Sequence, residues 1–140
     1  MTFPNMRMIV NNLNDTATLT ATSEALPIDY TQRSGRAYVW RSTDTATQVI
    51  TGTWSGTEFA DGATLYRHNL SPSAAVQLEI FQDEDPAYNS GQVPTAELIP
   101  PPVLRVGIDP WGATYNDEIP VPLTSIWFPP VVGNNFRITI

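Results

Sequence analysis

Apolar and polar side chains alternate along most of this sequence, in short runs separated by turn-forming residues. Because successive side chains of a β-strand point to opposite faces, a period of two predicts strands with one buried face. Such runs occupy residues 6–10, 16–22, 37–43, 48–54, 64–71, 75–81, 103–108, 125–128 and 135–140. Turn formers lie between them, as in the loop around Ser55-Gly56 and the link 129–134. The pattern predicts seven to nine strands packed as two antiparallel sheets, an all-β sandwich.

The same alternation predicts the hydrophobic core, since the apolar positions of each run share one face of the sheet. The expected core residues are Val39, Ile50, Leu65, Leu78, Ile80, Ile126, Phe128 and Ile138. Trp40 and Trp127 are flanked by apolar strand residues, and we expect them in the core as well.

Residues 82–102 differ from the rest because they are rich in proline and acidic groups. A loop of this length is uncommon in a compact domain, so we expect it to be mobile alone and ordered against a partner through Val93, Leu98 and Ile99. The acidic triplet Asp83-Glu84-Asp85 resembles a fragment of a calcium loop. The glycine spacing of an EF-hand is missing, which favours a solvated acidic loop and predicts no metal site.

Composition narrows the classes of partner. The 140 residues predict a single domain over 1–140, and a net charge of −7, with seven arginines and no lysine, argues against nucleic acid or an anionic membrane surface. No cysteine is present, no apolar run is long enough for membrane insertion, and the N-terminus has no signal-peptide pattern. We expect a protein made in a cytoplasm, without a cofactor. The end at Ile140, inside a predicted strand, suggests that a final strand is lacking or lies beside another chain.

Few residues of the sequence are candidates for catalysis or ligand binding. His68 is the sole histidine and no Gly-x-Ser-x-Gly elbow is present, so His68 is expected to satisfy backbone groups in a turn, with ligand binding as the alternative. A tryptophan face can stack on the C–H face of a sugar. Trp111, in a turn with Asp109 and followed by Asn116, is the best candidate for such a site, with Trp54 as a weaker one. Arg67, beside His68, is a further ligand-binding candidate.

Two motifs in order, Val39-Trp40-Arg41-Ser42 and Arg67-His68-Asn69-Leu70-Ser71, together with 12–19 and Asn135-Phe136-Arg137-Ile138, resemble virion proteins of tailed bacteriophages, found in the tail or tail tip. The resemblance spans most of the chain. It implies a jelly-roll β-sandwich of the galactose-binding-like type, in which the His68 turn is mostly a structural corner. Those proteins continue with a further strand beyond the point where this sequence stops.

Two functions follow as expectations. The first is a non-enzymatic structural component of a phage tail, at the tail tip or baseplate of the virion, contacting other virion proteins in a symmetric homo-oligomer or tail assembly. The alternative is a carbohydrate-binding module that contacts a host surface glycan. A glycosidase is disfavoured because Glu58, Glu79 and Glu97 sit in no recognisable pair of catalytic carboxylates.

Overall fold

The computed structural model describes residues 10–35, 37–66, 68–71, 73–95 and 123–140. Two short 3₁₀ helices, Leu13–Thr16 and Ile28–Gln32, accompany six strands in this part of the chain. The strands are β1 (Thr18–Ala21), β2 (Val49–Tyr66), β3 (Ala75–Gln82), β4 (Asp85–Asn89), β5 (Val93–Pro94) and β6 (Leu123–Thr139). The predicted run 103–108 lies outside the described residues, as does the predicted run 6–10 except for Val10, which belongs to no strand.

All strand pairs are antiparallel, in the order β1-β2-β6-β3-β4, with β5 on the edge of β3. The strands β2 and β6 form one long ribbon, from Val49 opposite Thr139 to Tyr66 opposite Leu123. Its register shifts twice, between Thr53 and Glu58 and between Ala60 and Gly62 of β2. Irregularities of this kind bend a ribbon and increase its twist. The predicted all-β, antiparallel class is confirmed.

Two predicted interruptions are wrong, because the chain stays extended through both. Ser55-Gly56 lies inside β2, and Pro129-Pro130 lies inside β6. Each pair falls within one of the two irregularities of the ribbon, where no ladder partner is assigned. A proline has no N–H to donate, so an unpaired stretch is where a strand tolerates it.

The predicted strand 37–43 is also wrong. This stretch pairs only through an isolated bridge from Arg41 to Leu26, and Val39 is exposed instead of lying in the core. Trp40 is half-buried and its indole N–H donates to the carbonyl oxygen of Ser23 at 3.2 Å. The alternation here marks an extended loop held by a few hydrogen bonds.

The predicted loop 82–102 begins as a hairpin. β4 returns along β3 through a turn at Asp83, whose φ of 56° lies in the left-handed region that aspartate tolerates. Asn134 closes this turn, because its amide donates to the Asp83 carboxylate at 2.7 Å and its oxygen accepts from the Asp83 N–H at 2.8 Å. Residues 96–102 lie outside the described part of the chain.

The core lies on one face of the sheet, where β2, β6 and β3 contribute most of its buried side chains. Leu78, Ile80, Ile126 and Phe128 are buried as predicted, whereas Ile50, Leu65 and Ile138 are half-buried. Trp54 and Phe136 are also buried there, with ring centroids 5.2 Å apart. Trp127, expected in the core, is exposed on the opposite side of β6, because it alternates with the buried Ile126 and Phe128.

Candidate functional site

Most of the predicted site residues lie outside the described part of the structure. This holds for Trp111, Asp109, Asn116 and Arg67, and for Leu98 and Ile99 of the predicted partner-contact loop. Val93 is described. It pairs with Val76 through β5 and packs half-buried against the chain's own core, which is not what the partner-contact prediction expected.

His68 joins two strand ends through side chains. Its Nε2 lies 2.9 Å from Thr124 Oγ1, and that hydroxyl in turn donates to the carbonyl oxygen of Thr95 at 2.9 Å. The Thr124 hydroxyl donates its proton to Thr95, so the Thr124 oxygen must accept a hydrogen bond from His68. The imidazole proton is therefore on Nε2. The expectation that His68 satisfies turn backbone is therefore wrong. The Thr95 hydroxyl does so instead, within 3.0 Å of the carbonyl oxygens of Ser71 and Ala74.

The other ring nitrogen of His68 has an unusual environment. Nδ1 is buried without a hydrogen-bond partner, and burial lowers the pKa of the imidazole below its ordinary value of 6.5. Burial therefore favours the neutral form of the ring. The network is a structural corner between β2, β6 and the end of β5.

Trp54 is not a stacking platform. The side chain is buried among core residues, and its indole N–H donates to the carbonyl oxygen of Leu13 at 2.9 Å. This hydrogen bond ties the first 3₁₀ helix to β2. A buried ring has no face left for a sugar.

Accessible aromatic side chains lie instead on the second 3₁₀ helix and the turn after it. They belong to a group that we call the tyrosine–arginine cluster: Asp29, Tyr30, Arg33 and Tyr38. The two tyrosine rings meet edge to face with centroids 5.5 Å apart. The Arg33 guanidinium lies 5.4 Å from the Tyr30 ring centroid and 5.7 Å from that of Tyr38. Arg33 also forms a 3.3 Å ion pair with Asp29.

Local backbone geometry creates this cluster. The helix places Tyr30 and Arg33 one turn apart. Gly35, at φ 122°, then reverses the chain, and the Tyr38 N–H closes the turn on the Gly35 carbonyl oxygen at 3.3 Å. A Cβ at Gly35 would lie in ordinary contact with the Tyr38 ring, at 3.4 Å, so glycine is favoured there by its φ angle.

The helix beneath the cluster is fixed to the rest of the fold. Ile28 is buried, and the Gln32 amide donates to the carbonyl oxygens of Asn14 and Ala17 at 2.7 and 2.6 Å. The Asn14 amide donates to the Thr31 hydroxyl at 3.3 Å. The exposed side chains of the cluster therefore stand on a supported backbone, which lowers the entropy lost when a ligand binds.

The arrangement suits an uncharged, hydroxyl-rich ligand. Tyr38 is 42% exposed, and the side chains of Asp29 and Arg33 are each about half-exposed. A tyrosine ring provides an apolar face with a hydroxyl at its tip, and the arginine and aspartate provide donors and acceptors beside it. The sequence does place two tyrosines, an aspartate and an arginine within ten residues, but no spacing in it shows that the two rings meet.

A shallow pocket of about 280 Å³ lies at the end of the sheet where β3 begins and β6 ends. Its lining is Thr47, Ser73, Ala75, Gln77, Gln92, Thr139 and Ile140. The polar members are neutral and none is aromatic, so the pocket offers hydrogen bonds without a stacking surface. In the described ranges, no three histidine, aspartate or glutamate side chains gather to hold a metal ion, and no helix is long and apolar enough to cross a membrane.

Comparison with known proteins finds likeness in structure alone. No protein-family model and no curated protein matches the sequence. A chitosan-binding module 1 of a chitosanase/glucanase from Paenibacillus sp. IK-5 superposes with a TM-score of 0.60 at 11% identity, over 92% of this chain and 85% of that one. A family 32 carbohydrate-binding module of C. perfringens NanJ, in complex with galactose, gives 0.61 at 10% identity, over 91% and 84%.

A third solved structure is chitosan-binding module 2 from the same Paenibacillus enzyme, in complex with chitotriose. Its TM-score is 0.59 at 13% identity, over 91% of this chain and 86% of that one. None of these comparisons supports a bacteriophage origin. Identities this low establish architecture and not ligand. The chain has the galactose-binding-like jelly-roll β-sandwich fold of these carbohydrate-binding modules.

Proposed function

We propose that this chain is a non-catalytic carbohydrate-binding domain whose glycan site is the tyrosine–arginine cluster. The observation that carries the proposal is the meeting of two tyrosine rings and an arginine within 6 Å of one another on an exposed, supported turn. The fold supports it as an architecture on which other proteins bind sugars, although fold alone assigns no ligand.

The expected binding mode follows from the geometry. A pyranose would place its C–H face on the exposed Tyr38 ring, while Arg33 donates to ring hydroxyls and Asp29 accepts from them. Arg33 fits this role because its planar fork has five N–H donors and, in the described structure, Asp29 is its one side-chain acceptor.

A glycan array on the purified chain, followed by calorimetric titration of the best oligosaccharide, tests the proposal. Tyr38→Ala is expected to weaken binding about tenfold or more, or about 1.4 kcal/mol. Val39→Ala is the matched control, because Val39 is the next residue, is exposed and stands outside the cluster. Arg33→Lys is expected to bind less well than wild type, because lysine keeps the charge and loses the fork.

The results separate the competing sites. Loss of binding in Trp111→Ala with full binding in Tyr38→Ala would keep the function and move the site to the residue that the sequence favoured. Silence across the array would overturn the glycan-binding function.

The tail-protein role and virion location remain a second proposal, supported by the sequence motifs of the phage resemblance. The two proposals are compatible, since a tail-tip domain that binds glycan would hold a particle on its host. Co-purification of the chain with tail particles tests this setting, and its absence from purified particles would count against it.

A further inference from the structure

The solvent-facing side of the β2–β6 ribbon carries large apolar side chains in a row, which we call the apolar stripe: Phe59, Tyr66, Leu123, Trp127 and Val132. Their exposures are 73, 62, 53, 37 and 38%. The ladder pairs Tyr66 with Leu123 and Phe59 with Val132, and sets Trp127 opposite Gly62. Paired residues point to the same face, and the exposure of all five side chains places them on the solvent-facing side of the ribbon.

The opposite side of the same strands confirms which face is outward. Ile126 and Phe128 alternate with the stripe residues of β6 and are buried in the core. Ala60 and Val131, next to Phe59 and Val132, also pack against the core. The stripe is therefore a true outer face, where the alternation would normally place polar residues.

Two features in the middle of the stripe suit a ligand with hydroxyl groups. The hydroxyls of Thr64 and Ser125 lie opposite each other at 3.2 Å, between the Tyr66 and Trp127 positions. The Trp127 ring lies over Gly62, where an added Cβ would come within 2.4 Å of it. Glycine thus lets the indole lie close to the sheet.

The charged residues near the apolar stripe argue against two classes of partner, nucleic acid and anionic bilayers. In the paired segments 58–66 and 123–133 the charged residues are Glu58 and Asp61, both acidic. A surface for nucleic acid or for an anionic bilayer needs basic residues at this place, so neither fits.

Size argues against a protein partner. From Phe59 to Tyr66 the strand covers roughly 20 Å, and two adjacent strands with their side chains are roughly 10 Å wide. The resulting area is about a quarter of the ~800 Å² that each partner of a stable protein interface buries. A long and narrow surface suits an extended polymer lying along the strands.

We infer that the apolar stripe is a second carbohydrate surface, which binds the flat face of an extended, uncharged, β-linked polysaccharide. Phe59, Tyr66 and Trp127 stack on sugar faces at intervals along the polymer, and the Thr64–Ser125 pair forms hydrogen bonds with the hydroxyls between them. The inference rests on the proposed function only in assigning carbohydrate as the ligand class, since it uses none of the residues of the tyrosine–arginine cluster.

Sedimentation of the full chain with insoluble chitin and with microcrystalline cellulose tests the stripe. Phe59→Ala and Trp127→Ala are each expected to weaken binding to one of these polymers about three- to tenfold, the range for loss of one stacked ring. Phe59→Ala is the safer variant because its side chain is the most exposed of the five. Val39→Ala, at an exposed residue outside the two strands that carry the stripe, serves as the control and should bind as wild type does.

A nearly isosteric change separates sugar from protein as the occupant. Thr64→Val removes the hydroxyl and adds a methyl group, so it should weaken polysaccharide binding and would strengthen an apolar protein contact. Weaker polymer binding in Thr64→Val, together with the losses in the ring variants, supports the inference.

Three results would overturn the inference. The first is polymer binding at the wild-type level in both Phe59→Ala and Trp127→Ala. If Tyr38→Ala still abolishes glycan binding in that case, the proposed function stands and only the stripe is ruled out. The second is a wild-type dimer, seen by light scattering, that Phe59→Ala converts to a monomer, because the stripe would then join two copies. The third is no binding to either polymer, even if soluble oligosaccharides bind at the cluster.

Discussion

Gly133, in β6, is a position where one added methyl group should be costly. A Cβ there would lie 2.5 Å from Ile80 Cγ2 and 2.8 Å from the carbonyl oxygen of Phe81, whereas ordinary contacts begin near 3.4 Å. The neighbours would have to move by almost 1 Å. Neither can do so easily, because Ile80 is buried in the core and the Phe81 carbonyl belongs to the backbone of β3.

The magnitude follows from two opposing effects in Gly133→Ala. Overpacking a filled core costs about 1–3 kcal/mol, and the upper half applies where backbone must shift. Restricting the unfolded chain returns about 0.4–1 kcal/mol. We therefore expect a net loss of about 2 kcal/mol in the free energy of unfolding. Urea denaturation followed by tryptophan fluorescence should show the midpoint lowered by about 1 M, at a slope of about 2 kcal/mol per molar.

Gly56→Ala is the matched control. Gly56 also lies in the long ribbon, its φ is not in the left-handed region, and nothing stands within 4 Å of the added Cβ. This variant should be as stable as wild type or slightly more stable. A double-mutant cycle with Ile80→Ala adds a direct check, since that change removes the clashing methyl group and should cost less in the Gly133→Ala background. A Gly133→Ala midpoint equal to that of wild type would refute the packing described for β3 and β6.

Two further predictions concern the polar corners of the fold. Burial lowers the pKa of His68 below 6.5, so the unfolded state binds the proton more readily. Stability should be full above about pH 7 and fall as the pH drops through 6.5 towards the lowered pKa. Urea midpoints between pH 5 and 7.5 should therefore vary less in His68→Gln than in wild type, and an equal pH dependence would contradict the assignment. Asp83→Ala should lower the free energy of unfolding by about 1–2 kcal/mol, because alanine is strained at φ 56° and loses the hydrogen bond to Asn134. Asp83→Asn should lower it less. Equal thermal midpoints for the two variants would contradict this account.

The sequence predicted some core positions well and others poorly, for a physical reason. Leu78, Ile80, Ile126 and Phe128 lie in β3 and β6, which belong to the sheet, and there a period of two translates directly into burial on one face. Val39 has the same local pattern, but its segment pairs with no strand, so the alternation does not place Val39 on a buried face. Local sequence cannot tell these cases apart, because strand pairing depends on residues far along the chain.

The contacts within the candidate site could not be predicted from the sequence for a related reason. Tyr30 and Tyr38 are eight residues apart, and only the turn at Gly35 brings their rings into contact. The apolar stripe joins residues 59–66 to residues 123–132, which no short motif connects. Both surfaces exist because the fold brings together side chains that look unremarkable in the sequence.

The sequence by itself determined the all-β class, the acidic surface charge and the absence of cysteine chemistry, since these depend on composition and on the intrinsic two-residue period of a strand. Only the tertiary structure decided that Ser55-Gly56 and Pro129-Pro130 lie within strands. It also decided that Trp127 faces outward and Trp54 inward, and that the Arg33 guanidinium lies near both tyrosine rings of the cluster. These outcomes are set by long-range strand register, where a shift of one residue exchanges the buried and exposed faces of a whole strand.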